Sequence, residues 1–461
     1  MKAKKKMDLT EGVIWKQILL FFLPIAAGTC IQQLYNAVDG IIVGKYVGTV
    51  ALAAVGGSSS QIINFLIGFF VALTTGASVF IAQLHGAGRR DEVQAASGTA
   101  LLLSVILGML VGLVCIFFAM PMLEALDTPA ETIEGAASYL KIYFIGMPFI
   151  LILNMESNLL RAVGDSMSPF LDMLAGCITN IVLDFVFVVY FHWGVSGVAV
   201  ATVIAQIVNM SLLTYHWLRT KDFDHLRPSR WRIHGNQVKS MMRIGVPFAL
   251  QASMYSASNI MIQVGINSLG TVVVASWAMT AKTDGVYWAV SNALGAAITT
   301  FIGQNIGAGR VDRVKKCFRQ GMILSLSMTV VLSTAIMLIA RPFVSILTSD
   351  AEVIETTYLI LTYFVPYYFL WTFIEVLSAI LRGVGDAVKP VIIIGLGICL
   401  FRVIWMLTVF ATWHTLAALS LSYLASWLVT DIALIIYFKK GNWLLRAKNR
   451  IRRQEENSAE E

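Results

Sequence analysis

The sequence predicts an all-α integral membrane protein whose twelve transmembrane helices form two parallel six-helix bundles. Composition gives the first indication, because 57% of the 461 residues are apolar and only 13% are charged. Soluble domains of this length do not have such a composition. Apolar runs of about 20 residues, long enough for a helix to cross the hydrocarbon core of a bilayer, recur along the chain. An internal repeat then divides these runs into two equal sets.

Three matches at one spacing establish the repeat. FIAQLHGAGRRD at residues 80–91 returns as FIGQNIGAGRVD at 301–312, an offset of 304 − 83 = 221 between the two glutamines. LRAVGDSMSP at 160–169 returns as LRGVGDAVKP at 381–390, and Pro121 returns as Pro342. Because no net insertion separates the matches, we infer two copies of one folding unit.

The apolar runs place the helices in order. The first half predicts spans at about 17–40, 52–82, 95–120, 136–160, 168–190 and 195–218, and the second at about 242–264, 273–304, 317–340, 355–381, 390–411 and 415–437. We therefore expect an N-terminal bundle at 1–218, a polar cytoplasmic linker at 219–240, a C-terminal bundle at 241–440, and a polar cytoplasmic tail at 441–461.

Lys and Arg predict the orientation of these spans. Most of the 34 Lys and Arg lie in the N-terminal segment, the linker, the tail and the loops on their side, whereas opposite loops such as EALDTPAETIE at 124–134 are acidic. We expect a multi-pass protein of a bacterial or archaeal cell membrane with both termini in the cytoplasm. The net charge of +7 follows from this asymmetry, so we expect no nucleic-acid partner.

The even number of spans per half favours a transporter. Halves with six spans each enter the membrane in the same direction, and parallel repeats of this kind enclose a central cavity. The repeated GAGR and VGD motifs fall at helix ends, where glycine permits left-handed turns. We interpret their arginines as structural groups that bond terminal carbonyls and anchor at lipid heads: Arg89, Arg161, Arg310 and Arg382.

Charges inside the spans carry the functional prediction, because ionisable groups in hydrocarbon are costly and usually face the protein interior. The first half has Asp39 in its first span and Asp184 in its fifth, with Asn36 and Asn180 on the same helical faces. Without an interior Lys or Arg, this carboxylate pair requires a proton or a bound cation. Its oxygens suit Na⁺ or a shared proton. The alternative is that either Asp merely bonds a backbone turn.

The second half carries different charges, since Asp184 falls on Trp405 at the repeat offset. The mixed signs of its interior charges indicate structural ion pairs. We expect Lys282 and Arg402 to pair with Asp284 and Asp431, or with carbonyls. Three further acids lie near helix ends, where we expect them to contact water: Glu156, Asp172 and Glu375.

Aromatic and methionine side chains can form an adaptable substrate cavity. We expect eight to line it: Tyr35, Met254, Tyr255, Met261, Trp277, Met279, Tyr287 and Trp288. Pro24 frees a backbone carbonyl in the first span and permits a bend. Since Asp39 lies about four turns further along that helix, we expect Pro24 to be the hinge through which the helix responds to a cation.

Taken together, DGIIVGKYVGTVALAAVG at residues 39–56, the paired Q-x-x-GAGR and LR-x-VGD motifs, and NIVLD at 180–184 resemble the prokaryotic multidrug and toxic compound extrusion (MATE) family. The resemblance implies a V-shaped pair of six-helix bundles that exports amphipathic, often cationic compounds in exchange for H⁺ or Na⁺. It implies no cofactor besides that coupling ion. It places the cation site, and the metal site if the ion is Na⁺, on Asp39, Asn180, Asp184 and Thr202. The acid pair that some members carry on the seventh and tenth helices is not matched.

Two alternatives remain. A flippase for a lipid-linked saccharide or peptidoglycan precursor would share the parallel halves, although such proteins commonly have a cationic cavity. A membrane enzyme is disfavoured, because the six His lie at loops or span ends and no HExxH or GxSxG occurs. The five Cys show no paired spacing. We expect a monomer that contacts small amphipathic substrates and membrane lipid, and no catalytic residue.

Overall fold

The computed structural model describes residues 7–219, 232–447 and 449, which are helical almost throughout and contain no β-strand. Twelve helices follow in the predicted order. They are α1 (Ile14–Tyr46), α2 (Thr49–Gly86), α3 (Arg90–Glu124), α4 (Ala130–Ile145 with Met147–Ala162), α5 (Met167–Tyr190), α6 (Gly194–Leu218), α7 (Gly235–Ser268), α8 (Thr271–Gly307), α9 (Val311–Leu347), α10 (Ala351–Gly383), α11 (Val388–Trp413) and α12 (Leu416–Lys440). Most of the expected linker and tail lies outside the described residues.

The helices have the length and composition of membrane spans. Ten of the described helices are long and apolar enough to cross a membrane by themselves. Helix α4 makes an eleventh when its two segments, which are bent by 52°, are taken as one span. Helix α7, rich in Ser, Gln and Asn, is less apolar, but its 34 residues give about 50 Å of helix at 1.5 Å per residue. The predicted all-α membrane fold is confirmed.

The duplication is visible in the backbone. The turn glycines Gly88 and Gly309 have φ of 74° and 68°, and Gly164 and Gly385 have φ of 90° and 76°. In all four turns the amide after the glycine donates to the carbonyl five residues earlier, at 2.8–3.1 Å. A left-handed residue closing a helix in this way favours glycine, which has no Cβ to clash. The repeated motifs are therefore helix-ending turns, as predicted.

Helices α5 and α11 share a second irregularity. A π-helical stretch occupies Phe185–Tyr190 in α5 and Met406–Phe410 in α11, again 406 − 185 = 221 residues apart. Each helix is followed by a left-handed histidine, His192 with φ of 56° and His414 with φ of 43°. Such π stretches widen a helix and often occur at functional sites. In α5 the stretch begins directly after Asp184.

The chain forms two compact units whose bounds differ from the sequence halves. Unit 1 contains Leu23–Ala249, and unit 2 contains Leu9–Phe22 and the chain from Leu250 onward. Residues 9–22 belong to unit 2 because α8 and α9 hold them there: Asn305 donates to the carbonyl of Leu9 at 3.0 Å, and Arg313 donates to that of Gly12 at 2.8 Å. The divisions fall inside α1 and α7, each within two residues of a proline, Pro24 and Pro247.

Helices α2 and α7 make a backbone contact within unit 1. A Cβ on Gly76 would overlap backbone atoms of Met241 and Gly245, and a Cβ on Gly245 would overlap the carbonyl of Leu73. Close helix crossings of this kind depend on residues without side chains. Gly68, two turns earlier on α2, faces open space.

Replacing Gly76 with Ala should therefore destabilise the protein by about 1–3 kcal/mol, the usual range for an overpacked interior. Gly68→Ala, the matched control, should be neutral or slightly stabilising because Ala is the better helix former. Thermal unfolding in detergent, followed by tryptophan fluorescence, measures both. Equal melting temperatures for the two variants would contradict the close approach of α2 and α7.

Candidate functional site

A carboxylate pair lies between α1 and α5 in unit 1. Asp184 is fully buried, with 0% of its surface exposed, and its carboxyl group lies within hydrogen-bonding reach of Asp39. No donor among the described residues reaches either oxygen of Asp184 or the buried Oδ1 of Asp39. Two ionised carboxylates have no proton to share, so the pair is satisfied only by a proton or a cation.

Further oxygen atoms lie next to this pair. Asn180 is one turn before Asp184 on α5, and its buried amide has no partner at either atom among the described residues. Thr202 on α6 is also buried, and its hydroxyl donates to the carbonyl of Val198 at 3.0 Å, which leaves the oxygen lone pairs as acceptors. Asn36, in contrast, is exposed. Carboxylate, amide and hydroxyl oxygens are hard ligands of the kind that bind Na⁺.

A cavity of approximately 360 Å³ opens beside the carboxylate pair. Asn180 and Thr202 line it, as does Tyr35 from the predicted substrate set. Amides dominate its remaining polar wall: Gln32, Asn154, Asn158, Gln206 and Asn209. Arg161 at the end of α4 also lines this cavity. The sequence predicted instead a structural anchor at lipid heads.

Two of the acids expected to contact water are instead buried. Glu156 is 2% exposed and accepts from the hydroxyl of Thr214 at 2.7 Å. Asp172 is 3% exposed and lies 2.7 Å from Nδ1 of His216. The expectation was wrong because position near a helix end does not reveal which face packs against α6.

Unit 2 has a cavity of its own, of approximately 460 Å³. Of the predicted substrate residues, Tyr255 and Trp277 line it, whereas Met254, Met261, Met279 and Tyr287 do not. Met254 packs against Gly395, and Tyr287 is buried in a stack with Tyr368 at 4.0 Å between ring centroids. Trp288, also expected from the sequence, lines it as well. Five further aromatic members of this wall were not predicted: Phe364, Tyr368, Trp371, Tyr423 and Trp427.

The charges in unit 2 do not pair as predicted. Asp284 accepts from the hydroxyl of Tyr368 at 2.6 Å and from Nε1 of Trp288 at 3.0 Å, while Lys282 is exposed. Two aromatic donors replace the expected cation. Trp288 lies at i+4 on the same helix, a spacing visible in the sequence, whereas Tyr368 on α10 is 84 residues away.

Arg402 and Asp431 are also separate. Arg402 stacks on the ring of Tyr423 at 3.9 Å, and its Nε donates to Ser426 at 3.1 Å. Both carboxylate oxygens of Asp431 are buried without a partner among the described residues. Glu375, expected in water, forms a 2.5 Å ion pair with Arg382.

Comparison with known proteins finds relatives that match most of the chain. "Probable multidrug resistance protein YoeA" of Bacillus subtilis is 26% identical over 387 residues, which cover 82% of this chain and 83% of that protein. "Probable multidrug resistance protein NorM" of Thermotoga maritima is 26% identical over 453 residues, covering 94% of each chain.

Solved structures agree in fold. One described as the outward-facing conformation of a multidrug resistance MATE family transporter has a TM-score of 0.84 at 23% identity and covers 99% of this chain and 100% of that chain. The structure of a MOP superfamily transporter from Pyrococcus furiosus also has a TM-score of 0.84 at 23% identity, and it covers 98% of this chain and 99% of that chain. The family model described as MatE matches residues 24–186 and again 247–408, one match in each repeat. These matches span well over half of the sequence, and the chain belongs to the MatE family.

Proposed function

We propose that the protein is a secondary active efflux transporter, which exports amphipathic and mainly cationic organic compounds in exchange for H⁺ or Na⁺. The observation that carries this proposal is the pair formed by the half-buried Asp39 and the buried Asp184. No donor among the described residues reaches Oδ1 of Asp39 or either oxygen of Asp184. Ionisable groups at this depth commonly mark ion pathways. Asn180 and Thr202 complete the cation site, while the exposed Asn36 lies outside it.

Electrostatics makes this pair a suitable coupling device. Loading one proton or one Na⁺ changes the local charge by one unit. At an effective dielectric constant of about 20, one unit charge 4 Å away contributes about 4 kcal/mol. That energy shifts a two-state equilibrium about a thousandfold, since each 1.4 kcal/mol is tenfold. A cation that favours one state of the transporter can thereby drive release of a substrate that favours the other.

The aromatic wall in unit 2 supports an amphipathic cargo. Aromatic faces accept apolar surface and attract cations, and the charge of Arg402 is already held over Tyr423. The two Bacillus subtilis and Thermotoga maritima relatives are both named as multidrug resistance proteins, which agrees with a wide range of amphipathic substrates. They do not favour a flippase for saccharide precursors.

The arrangement of Lys and Arg supports a cell-membrane protein with both termini in the cytoplasm. We propose that it acts as a monomer surrounded by lipid. Fluorescent-protein and alkaline-phosphatase fusions after residue 461 check the orientation, because the first is active only in the cytoplasm and the second only outside it. We expect fluorescence without phosphatase activity, and the reverse result would overturn the orientation.

Efflux of a fluorescent organic cation from vesicles, with Na⁺ and pH gradients imposed separately, tests the proposed coupling. Asp39→Asn and Asp184→Asn should each abolish gradient-driven efflux while the protein folds normally, because Asn keeps the volume and loses the charge. The double variant should be little worse than either single one, since one site is lost in each case.

Asp431→Asn is the matched control, since Asp431 is a buried acid without a partner among the described residues of unit 2. It should leave coupling intact. Wild-type pumping by both unit 1 variants, with loss in Asp431→Asn, would place the cation site in unit 2.

The hinge proposal rests on the position of Pro24. Unit 2 ends and unit 1 begins between Phe22 and Leu23, so the proline lies where α1 passes from one unit to the other. Pro24→Ala restores a backbone hydrogen bond and should slow transport more than it weakens ion binding. Pro247→Ala, which changes the proline at the same membrane depth in α7, is the variant with which Pro24→Ala is compared. Equal losses of transport and ion binding in Pro24→Ala, or no loss, would refute the hinge.

A further inference from the structure

A second group of acids in unit 1 lies at the end that carries the turn between α4 and α5. Asp172, near the start of α5, is 2.7 Å from Nδ1 of His216 in the last turn of α6. Glu156 on α4 is close enough to Asp172 for their charges to interact. The Asp172 side chain is buried, whereas 38% of the His216 side chain is exposed. The pair therefore connects the interior of unit 1 with the surface at this end.

A row of positions connects this pair with Asp184. One face of α5 carries the row at intervals of four residues: Asp184, Asn180, Gly176 and Asp172. The facing side of α6 carries Thr202, Gln206 and Asn209. A Cβ on Gly176 would lie 3.0 Å from the Cβ of Asn209, so the Asn209 side chain occupies the place where α5 has none. The two rows form one polar strip about 18 Å long, at a rise of about 1.5 Å per residue.

Buried amides along this polar strip lack protein partners. Neither atom of the Asn180 amide, nor Oε1 of Gln206, nor Oδ1 of Asn209 has a hydrogen-bond partner among the described residues. Buried polar groups of this kind are commonly satisfied by water. In membrane proteins, chains of Asp, Glu and His that are connected through polar groups carry protons.

The repeat shows that the fold does not require this polarity. At the offset of 221, the α5 row becomes Trp405, Phe401, Gly397 and Ile393, and the α6 row becomes Tyr423, Trp427 and Thr430. A Cβ on Gly397 would overlap Thr430, so the close crossing of the two helices is kept. Glu156 likewise becomes Leu377, and His216 becomes Tyr437. The crossing is common to both repeats, whereas the polar strip and its terminal acid occur in the repeat that carries Asp39 and Asp184.

We propose that Asp172 and His216 form a second proton-binding site of unit 1, through which protons from Asp39 and Asp184 reach the cytoplasm. This inference rests on the proposed function and selects H⁺ as its coupling ion. A proton leaves the acid pair along the polar strip and protonates the Asp172 carboxylate. It then passes to Nδ1 of the neutral imidazole, which loses a proton from Nε2 to bulk water and regains its first tautomer by exchange with water. Carboxylate and neutral imidazole are thereby restored.

The surroundings of the pair leave Asp172 and His216 to perform this transfer. The other charged and titratable groups at this end of the neighbouring helices are Glu156 and Arg161 on α4, Asp165 before α5, and Tyr215 and Arg219 on α6. Asp165 already accepts from the amide of Ser168 at 2.9 Å, and Glu156 accepts from Thr214 at 2.7 Å. Histidine suits the exit step, because it ordinarily gains and loses a proton between about pH 5 and 8.

The test separates proton-driven export from exchange of substrate. Proteoliposomes that contain the full chain export ethidium, a fluorescent organic cation, under a pH gradient, and in a second assay they exchange labelled for unlabelled ethidium at equal pH. Exchange requires no proton release, so it does not depend on the proposed site. Asp172→Asn should slow pH-driven efflux about a hundredfold, as loss of a positioned proton carrier does. It should change exchange less than about twofold, a change below 1 kcal/mol. Asp172→Glu keeps a carboxyl group and should restore most of the efflux.

His216→Gln tests the exit step through its pH dependence. With the gradient fixed, wild-type efflux should fall as the pH on the His216 side is lowered from about 7.5 to about 5.5, because a protonated imidazole accepts no further proton. His216→Gln should be slower and should lose this dependence. Asp165→Asn is the matched control at the same end, since Asn accepts the same amide hydrogen bonds. It should keep the wild-type rate and pH dependence.

The possible results are distinct. Equal losses of efflux and exchange in Asp172→Asn, or no loss of either, would show a structural role and overturn the proton site. If a Na⁺ gradient drives wild-type efflux and a pH gradient does not, the proton site fails while the proposed efflux function stands. If neither gradient drives export of ethidium, the proposed function fails for this class of compound, and the proton site fails with it.

Discussion

The apposition of two carboxylates is the constraint on which the rest of unit 1 depends. No donor among the described residues reaches Oδ1 of Asp39 or either oxygen of Asp184, so holding the two acids together is costly unless their charge is neutralised. The chain supports this costly arrangement with a helix that changes from α to π geometry directly after Asp184. Gly176, two turns earlier, lies where a Cβ would press on Asn209, so α5 and α6 approach closely at this depth. The same part of α5 therefore sets both its packing against α6 and the position of the acid pair.

The two repeats share their backbone irregularities but differ in their interior side chains. The helix-ending glycines and the π stretches occur in both repeats because every backbone group in a membrane must be satisfied within the protein. The interior side chains, in contrast, diverge. Trp405 stands at the position that Asp184 occupies in unit 1, and its Nε1 donates to the carbonyl of Ala418 at 2.9 Å. A position that carries a buried acid in one copy therefore joins two helices in the other.

The twelve helices could be predicted because the length and polarity of each segment are properties of the sequence itself. The pair of Asp39 and Asp184 was also accessible, since two acids in apolar runs have few stable environments. Contacts between helices that are distant in sequence could not be predicted. Asp284 is satisfied by Tyr368 from α10, and Lys282, two residues away and the apparent partner in sequence, is exposed. Helical periodicity predicts which residues share a face, but not which face of another helix it meets.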